Sequence, residues 1–177
     1  MHPDFVCKIM RKVILNLAVS LDGFIEGPQG EYDWCLTDAD YGMTEFMNSI
    51  DTVIMGGKSY RLLLKYGKPY PEFNNYVFSR TEEDSPYENV SLVSKHIPAF
   101  VTALKTQPGK HIWLFGGAEI FKILLEHDLV DQMMLSMHPL MLGGGLPLFP
   151  PLANRKKFVL KDSIQYPSGL VQLIYKK

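Results

Sequence analysis

Twice along this chain a short apolar run ends in Gly-Gly and passes directly into a helical pattern. The first junction is residues 53–59 (VIMGGKS), and the second is residues 112–120 (IWLFGGAEI). Short apolar runs bounded by glycine are typical of buried strands, and a turn from a strand into a helix is the repeating unit of a parallel sheet. The two junctions therefore predict an α/β fold.

The remaining pattern continues this alternation and then breaks it near the C-terminus. Strands are predicted, in chain order, at residues 13–19, 52–55, 76–78, 90–93, 112–115, 132–137, 158–164 and 170–175. Helices are predicted at residues 38–50, 58–65, 98–105 and 118–126. Because no helical pattern separates the last three strands, and residues 167–169 (PSG) form a turn, the sheet should be mostly parallel with an antiparallel edge.

Length and composition indicate one globular domain. The chain has 177 residues, of which 46% are hydrophobic and 21% charged, so it can bury a core of its own. We predict a tail at residues 1–12 and a single domain at residues 13–177. Lys and Arg number 18 against 19 Asp and Glu, and this balance disfavours nucleic-acid binding.

The cellular location is expected to be the cytoplasm. No apolar run approaches the roughly 20 residues of a membrane span, and the N-terminus lacks the apolar segment of a signal peptide. Cys7 and Cys35 are the only cysteines in the sequence, which favours reduced thiols over a disulfide framework.

The glycine turns are the strongest candidates for a binding site. Glycine lets the backbone approach a ligand closely, and the helix that follows offers unpaired amides to an anion. Each turn alone could be a tight connection, but two of them on neighbouring strands favour a dinucleotide. A nucleotide-hydrolase P-loop is excluded because Thr52 occupies its first glycine position, and no G-x-G-x-x-G is present.

Acidic and aromatic residues near the first loop form a second group of candidates. If the helix predicted at residues 38–50 forms, Asp40 lies on its inward stripe, where desolvation would raise its pKa and make it a proton donor. Alternatively, Asp40 satisfies the start of the helix. Asp22, Asp33 and Trp34 could line a pocket or serve as turn residues.

The histidines show no metal-ligand spacing, and we assign all of them to the surface or to ordinary packing. They are His2, His96, His111, His127 and His138. A zinc site is therefore not expected.

Together these segments resemble the dihydrofolate reductase-like superfamily over residues 13–175. The resemblance extends to residues 76–80 (YVFSR) and to the late strand that carries Ser136. Residues 20–23 (SLDG) and 142–149 (LGGGLPLF) are similar to the reductase domain of bacterial riboflavin biosynthesis, the RibD C-terminal type, and to its stand-alone relatives.

This resemblance implies a three-layer fold of about eight strands, with helices on both faces, that transfers hydride from NADPH to a small heterocycle. The cofactor residues that it implies are Ala18, Gly56, Gly57, Lys58, Ser59, Ser79, Arg80, Gly116, Gly117, Ala118, Glu119 and Ile120. The substrate residues that we infer are Asn16, Asp22, Asp33, Trp34, Phe115 and Ser136. Relatives of this kind often form homodimers.

The chain departs from the family pattern at several positions. Phe73 replaces the arginine that would hold the carboxylate of folate, and Phe115 replaces an acid that riboflavin enzymes carry before the late glycines. Glu119 stands where NADPH enzymes carry arginine, so NADH stays open, although Lys58 and Arg80 could supply the positive charge. The substrate is accordingly left between a pterin-like and a riboflavin-precursor pyrimidine-like heterocycle, and a non-catalytic nucleotide-binding relative is the alternative.

Overall fold

A central sheet of eight strands organises the chain in this computed structural model, which describes residues 10–177. The strands are β1 (Val13–Ser20), β2 (Phe24–Glu26), β3 (Ile50–Gly56), β4 (Asn74–Phe78), β5 (Val90–Val93), β6 (His111–Gly116), β7 (Gln132–His138), β8 (Leu146–Pro147), β9 (Val159–Gln165) and β10 (Val171–Lys176). The helices are α1 (Met43–Ser49), α2 (Gly57–Tyr66), α3 (Ile97–Thr106) and α4 (Ala118–Glu126).

The strand order in the large sheet is β5-β4-β3-β6-β1-β7-β10-β9, and β2 pairs with β8 in a separate two-stranded sheet. All pairings from β5 to β7 are parallel, whereas β10 is antiparallel to both β7 and β9. The predicted mostly parallel sheet with an antiparallel C-terminal hairpin is confirmed. Since parallel strands end at one edge, the carboxyl ends of β1, β3, β6 and β7 lie together.

Helices cover both faces of the sheet, which explains why its central strands are apolar at nearly every position. On one face, α3 and α4 pack on Leu15, Ile54 and Leu114. On the other face, α1 and α2 pack on Val53 and Trp113. The hydrophobic core is therefore divided into two layers by the sheet, in the three-layer arrangement expected from the sequence.

The first helix is shorter than the predicted range of 38–50. Tyr41 and Gly42 both have left-handed backbone conformations, with φ of 51° and 77°. A right-handed helix cannot run through such residues, so α1 begins only at Met43. The short strands β2 and β8 were not expected from the sequence, because each pairs only a few residues between distant loops.

Residues 11 and 12, predicted as the end of a tail, belong to the fold. Arg11 is buried; its guanidinium is paired with Asp51 and donates to Thr52 Oγ1 at 2.6 Å. The backbone amide of Ile112 donates to the carbonyl of Lys12. The pairing of Arg11 with Asp51 could not be predicted, because a single arginine before an apolar run has no sequence pattern that identifies its partner. Residues 1–9 of the predicted tail, with His2 and Cys7, lie outside the described residues.

The sequence predicts no membrane-spanning segment. Within residues 10–177, no helix has both the length and the apolar character needed to span a bilayer.

An ion pair between a buried lysine and a partly exposed aspartate joins α3 to the start of the sheet. Lys105, which is only 8% exposed, has its ammonium group 2.7 Å from Asp131 Oδ2, and the same oxygen accepts from the backbone amide of Val13. Removing one partner of such a pair leaves the other charge desolvated without compensation. The pair therefore locks the N-terminus of β1 to the helix layer.

We predict that Asp131→Ala lowers the free energy of unfolding by about 3 kcal/mol, the usual effect of orphaning a buried charge. Urea unfolding followed by circular dichroism measures this change. The matched control is Asp128→Asn, which suits the left-handed backbone at this position; because Asp128 pairs with Lys156 and Lys177 on the surface, the loss should be less than about 1 kcal/mol. Equal losses in the two variants would contradict the assignment.

Candidate active site

The two glycine turns touch each other at the carboxyl edge of the sheet. Strands β3 and β6 are parallel neighbours, so their Gly-Gly turns lie side by side. A methyl group added at Gly117 would lie 3.2 Å from the backbone nitrogen of Gly56, and φ at Gly117 is +101°. Only glycine combines this backbone conformation with this closeness. The predicted juxtaposition of the two turns is confirmed.

Both helices that follow these turns start without a side-chain cap. No side chain accepts from the first amides of α2, which follows Gly56, or of α4, which follows Gly117. Uncapped N-terminal amides and the positive end of the helix dipole attract anions. The hydroxyl of Ser59 lies close by, 3.2 Å from the position of a β-carbon at Gly116. The turns thus form a polar cradle of backbone amides.

A cleft of about 390 Å³ continues from this cradle along the ends of β4 and β5. Ser79 narrows it, because a methyl group at Gly57 would lie 2.9 Å from Ser79 Oγ. The same hydroxyl accepts from the amides of Thr81 and Glu82 at 3.2 and 3.1 Å, which shapes the turn after β4. The residues that line the cleft include Gly57, Lys58, Arg61, Ser79, Arg80, Glu119 and Ile120.

The charges around the cleft are mostly positive. Arg61 is paired with Glu82, and Lys58 with Glu26 at 3.2 Å. Arg80 is exposed and has no ion pair within residues 10–177. Arg80 is therefore the cation of this cleft whose charge is not already compensated, while Glu119 is the opposing acid.

A second group of predicted residues lies on the face of the sheet that α1 covers. Ala18 of β1 is paired with Ser136 of β7, and Asn16 is paired with Met134. Side chains alternate along a strand, so Asn16, Ala18 and Ser136 share one face near the carboxyl edge. Asn16 is buried, and its amide lies 3.7 Å from the sulfur of Met43.

On the same face of the sheet, the neighbouring strand β6 contributes aromatic side chains. Phe115 lies 5.1 Å from Trp113 and 5.7 Å from Tyr70, measured between ring centroids. Trp113 donates its indole N–H to the carbonyl of Asn16 at 3.1 Å. Phe73, at the position of the expected folate-binding arginine, is buried in this cluster. The face is thus lined by aromatic and uncharged polar groups.

Asp40 does not have the predicted inward position. It is exposed and lies before α1, because the left-handed residues at 41 and 42 delay the start of the helix. Its carboxylate accepts from the Thr44 hydroxyl at 2.6 Å and from the Thr44 amide. The Thr44 hydroxyl, more than the backbone amides, lowers the pKa of Asp40 below its ordinary value of 3.8. The predicted raised pKa is wrong, and Asp40 has the alternative role at the helix start.

Asp22 accepts hydrogen bonds from other residues of the protein. Its carboxylate accepts from Ser20 Oγ at 2.6 Å and from the amides of Leu142 and Gly143 at 3.1 and 2.7 Å. The hydrogen bond from Ser20, followed by those amides, lowers the pKa of Asp22. Asp22 therefore ties residues 20–23 to the glycine loop at 142–145. Its place in the substrate pocket stays a prediction, while three internal donors already bond to its two oxygens.

The loop after β2 brings Trp34 against the end of β7. The Trp34 ring meets His138 edge-on, with centroids 5.2 Å apart, and its indole N–H donates to Glu31 within the same loop. Asp33 is exposed. Burial, and after it the charge of Asp33, raises the pKa of the free thiol of Cys35. Of the loop candidates, Trp34 reaches the edge of the sheet where the glycine turns lie.

Two buried polar residues on this face were not among the sequence candidates. Gln172 of β10 is paired with Ser136 and is 3% exposed. His138 ends β7 and is 2% exposed, and its Nε2 has no hydrogen-bond partner among the described residues. The sequence assigned His138 to packing, since no local pattern shows which strand ends meet. The described residues contain no cluster of potential metal ligands.

The sheet order, the touching glycine turns and the antiparallel hairpin together define an α/β protein with the dihydrofolate reductase-like fold. The chain belongs to the RibD C-terminal domain family, which matches residues 11–172. The family suggested by the sequence motifs is therefore confirmed.

Individual relatives agree with this assignment. "Uncharacterized protein YyaP" of Bacillus subtilis strain 168 is 40% identical, over 93% of this chain and 94% of its own. The crystal structure of "Putative riboflavin biosynthesis protein" from Shewanella sp. PV-4 superposes with a TM-score of 0.84 at 28% identity, covering 93% of this chain and 98% of that one.

A more distant structure shares the fold alone. The Thermotoga maritima diaminohydroxyphosphoribosylaminopyrimidine deaminase/5-amino-6-(5-phosphoribosylamino)uracil reductase superposes with a TM-score of 0.72 at 18% identity. The match covers 97% of this chain and 58% of that larger one.

We predict that Asp22→Asn lowers the melting temperature at pH 7, because a neutral amide binds the two loop amides more weakly. A carboxylate with a lowered pKa in the folded state adds stability above its ordinary pKa of 3.8, and this stability is lost as the pH falls through the folded value. The difference between wild type and variant should therefore shrink below about pH 4. Differential scanning calorimetry across pH measures it.

The matched control for this experiment is Asp33→Asn, since Asp33 is an exposed acid on the neighbouring loop. It should leave the melting temperature unchanged at every pH. A pH-independent loss in Asp22→Asn would show that the carboxylate charge does not hold the loop.

Proposed function

We propose that this protein is an NADPH-dependent reductase that transfers hydride to a small, uncharged heterocycle. The observation that carries the proposal is the contact between Gly56 and Gly117, which opens two uncapped helix N-termini toward one cradle. The family supports it, as does the similarity to the Shewanella protein, whose name places that protein in riboflavin biosynthesis.

The residues present fit a dinucleotide diphosphate. Backbone amides at the starts of α2 and α4 would bind the phosphates, and a β-carbon at Gly57 or Gly117 would crowd this space. Arg80, with Lys58 beside it, would face the 2′-phosphate that distinguishes NADPH from NADH. When bound, NADPH supplies the hydride, and the protein supplies orientation and electrostatics.

The nicotinamide would lie near Ala18, whose small side chain leaves room at the end of β1. Asn16 and Ser136 flank this position with groups that can bond an amide without adding charge. The heterocycle would lie on the aromatic face of Phe115, held mainly by ring stacking. These contacts align donor and acceptor, which is the main contribution that a protein makes to hydride transfer.

The charge distribution argues against a phosphorylated or folate-like substrate. No Lys or Arg occurs between Lys12 and Lys58, a stretch that includes β1, the loop before α1, and α1 itself. A phosphate or carboxylate on the substrate would therefore find no cation from this stretch to pair with. An uncharged pterin or pyrimidine needs no such partner.

The proton that accompanies hydride would come from solvent. Asp40 is exposed and has a lowered pKa, so at neutral pH it has no proton to give. We therefore assign proton delivery to a water molecule near the Ser136 hydroxyl. A homodimer remains an expectation from the family resemblance, and a cytoplasmic location remains an expectation from the amino-acid sequence.

We predict that the purified protein enhances or blue-shifts NADPH fluorescence at micromolar concentration and binds NADH more weakly. Arg80→Gln should weaken NADPH binding by about tenfold, because a charge-assisted contact to the 2′-phosphate is lost. Binding of NADH, which lacks that phosphate, should not change. Fluorescence titration with each cofactor measures both constants.

Lys161→Gln is the matched control, since Lys161 is an exposed cation on β9, away from the cleft. It should bind both cofactors like wild type. If neither cofactor changes fluorescence with the wild-type protein, the reductase proposal fails.

We further predict that Asp40→Asn retains turnover within about twofold, because the carboxylate bonds only the start of α1. Steady-state NADPH oxidation with 7,8-dihydrobiopterin, an uncharged pterin, measures this activity. A loss of a hundredfold or more, with NADPH affinity unchanged, would restore Asp40 as the proton donor.

A further inference from the structure

A hydrogen bond fixes the tautomer of His138, and its other ring nitrogen has no hydrogen-bond partner among the described residues. Its Nδ1 lies 2.9 Å from the carbonyl oxygen of Ser136. A carbonyl can only accept, so Nδ1 carries the proton and donates it. In the neutral ring, Nε2 is then a bare acceptor. This follows from the hydrogen-bond geometry alone.

The unused nitrogen is buried. His138 is 2% exposed, and Nε2 has no partner among residues 10–177. Buried polar atoms in proteins almost always have a partner, and an acceptor left without a hydrogen bond destabilises the folded state. An orphan of this kind at a strand end near a binding site is best explained by a ligand donor that completes it.

His138 lies next to the proposed site of hydride transfer. It follows Ser136 by two residues on β7, so both side chains lie on the same face of the sheet. Across the sheet it is paired with Ser20, two residues beyond Ala18 on β1. His138 therefore extends the row formed by Asn16, Ala18 and Ser136 toward the carboxyl edge.

The ring of Trp34 packs against His138 and covers it. Their rings meet edge-on at an interplanar angle of 89°. The indole N–H of Trp34 bonds only to Glu31, three residues earlier in the same loop. A movement of the loop can thus lift Trp34 from His138 without breaking a side-chain hydrogen bond to the sheet.

We infer that His138 is a substrate-binding residue whose Nε2 accepts a hydrogen bond from a ring N–H of the heterocycle, with Trp34 as a movable cover. This inference rests on the proposed function and narrows it to substrates that present a ring N–H donor, such as imide-bearing pyrimidines and pterins. A heterocycle without such a donor leaves Nε2 unpaired and binds more weakly.

The experiment uses 6-aminouracil, which has ring N–H donors, and 6-amino-1,3-dimethyluracil, which has none. We expect wild-type protein saturated with NADPH to bind 6-aminouracil about tenfold more tightly, as measured by isothermal titration calorimetry. In His138→Phe, which removes the acceptor but keeps a ring against Trp34, both compounds should bind equally. The ¹⁵N resonance of His138 Nε2 should also shift when 6-aminouracil binds to wild type.

His127→Phe is the matched control. His127 also places Nδ1 next to a backbone carbonyl, that of Ile123, but on the exposed surface. It should keep the tenfold preference. Should His138→Phe fail to fold, His138→Gln, which retains an amide acceptor, should keep at least part of the preference.

Two outcomes would overturn the inference. One is a preference for 6-aminouracil that persists in His138→Phe. The other is no binding of either pyrimidine by protein that still binds NADPH. The second result leaves the reductase proposal intact, whereas failure of NADPH itself to bind would remove the proposed function first.

Discussion

The contact between the backbones of Gly56 and Gly117 is the interaction on which the proposed site depends. It exists because β3 and β6 are adjacent and parallel, so that both strands reach the same edge before turning into helices. A side chain at Gly117 would press on the backbone of Gly56 and fill the space between the two helix starts. Without that space, the amides of α2 and α4 could not face a common anion.

The two halves of the site differ in charge, and this difference organises the proposed specificity. The cleft beyond the glycine turns carries Arg80 and Lys58, as a dinucleotide phosphate requires. The opposite side is built from a stretch without Lys or Arg, and its floor is made of neutral polar groups on an aromatic face. In the proposed function, this difference would direct the anionic cofactor and the uncharged substrate to separate places. His138 would add an acceptor that selects among uncharged rings by their N–H groups.

The strands and most helices were predictable because their signals are local. Apolar runs, glycine turns and the final hairpin turn each occupy a few adjacent residues, and α4 begins and ends as predicted. The role of Asp40 was not predictable in the same way. Its predicted inward position assumed a helix running through residues 41 and 42, where the backbone is left-handed. Asp22 likewise looked like a pocket residue, although it binds amides some 120 residues further along the chain.

By itself the sequence determined the α/β class, the family and the two glycine turns, since each depends on residue type and short spacing. Only the tertiary structure decided which polar groups are free. Asp22 and Asp40 are occupied by internal donors, whereas the Nε2 of His138 is buried without one. The reason is physical. Whether a polar atom can serve a ligand depends on what distant segments pack against it, and strand pairing across the sheet sets those neighbours.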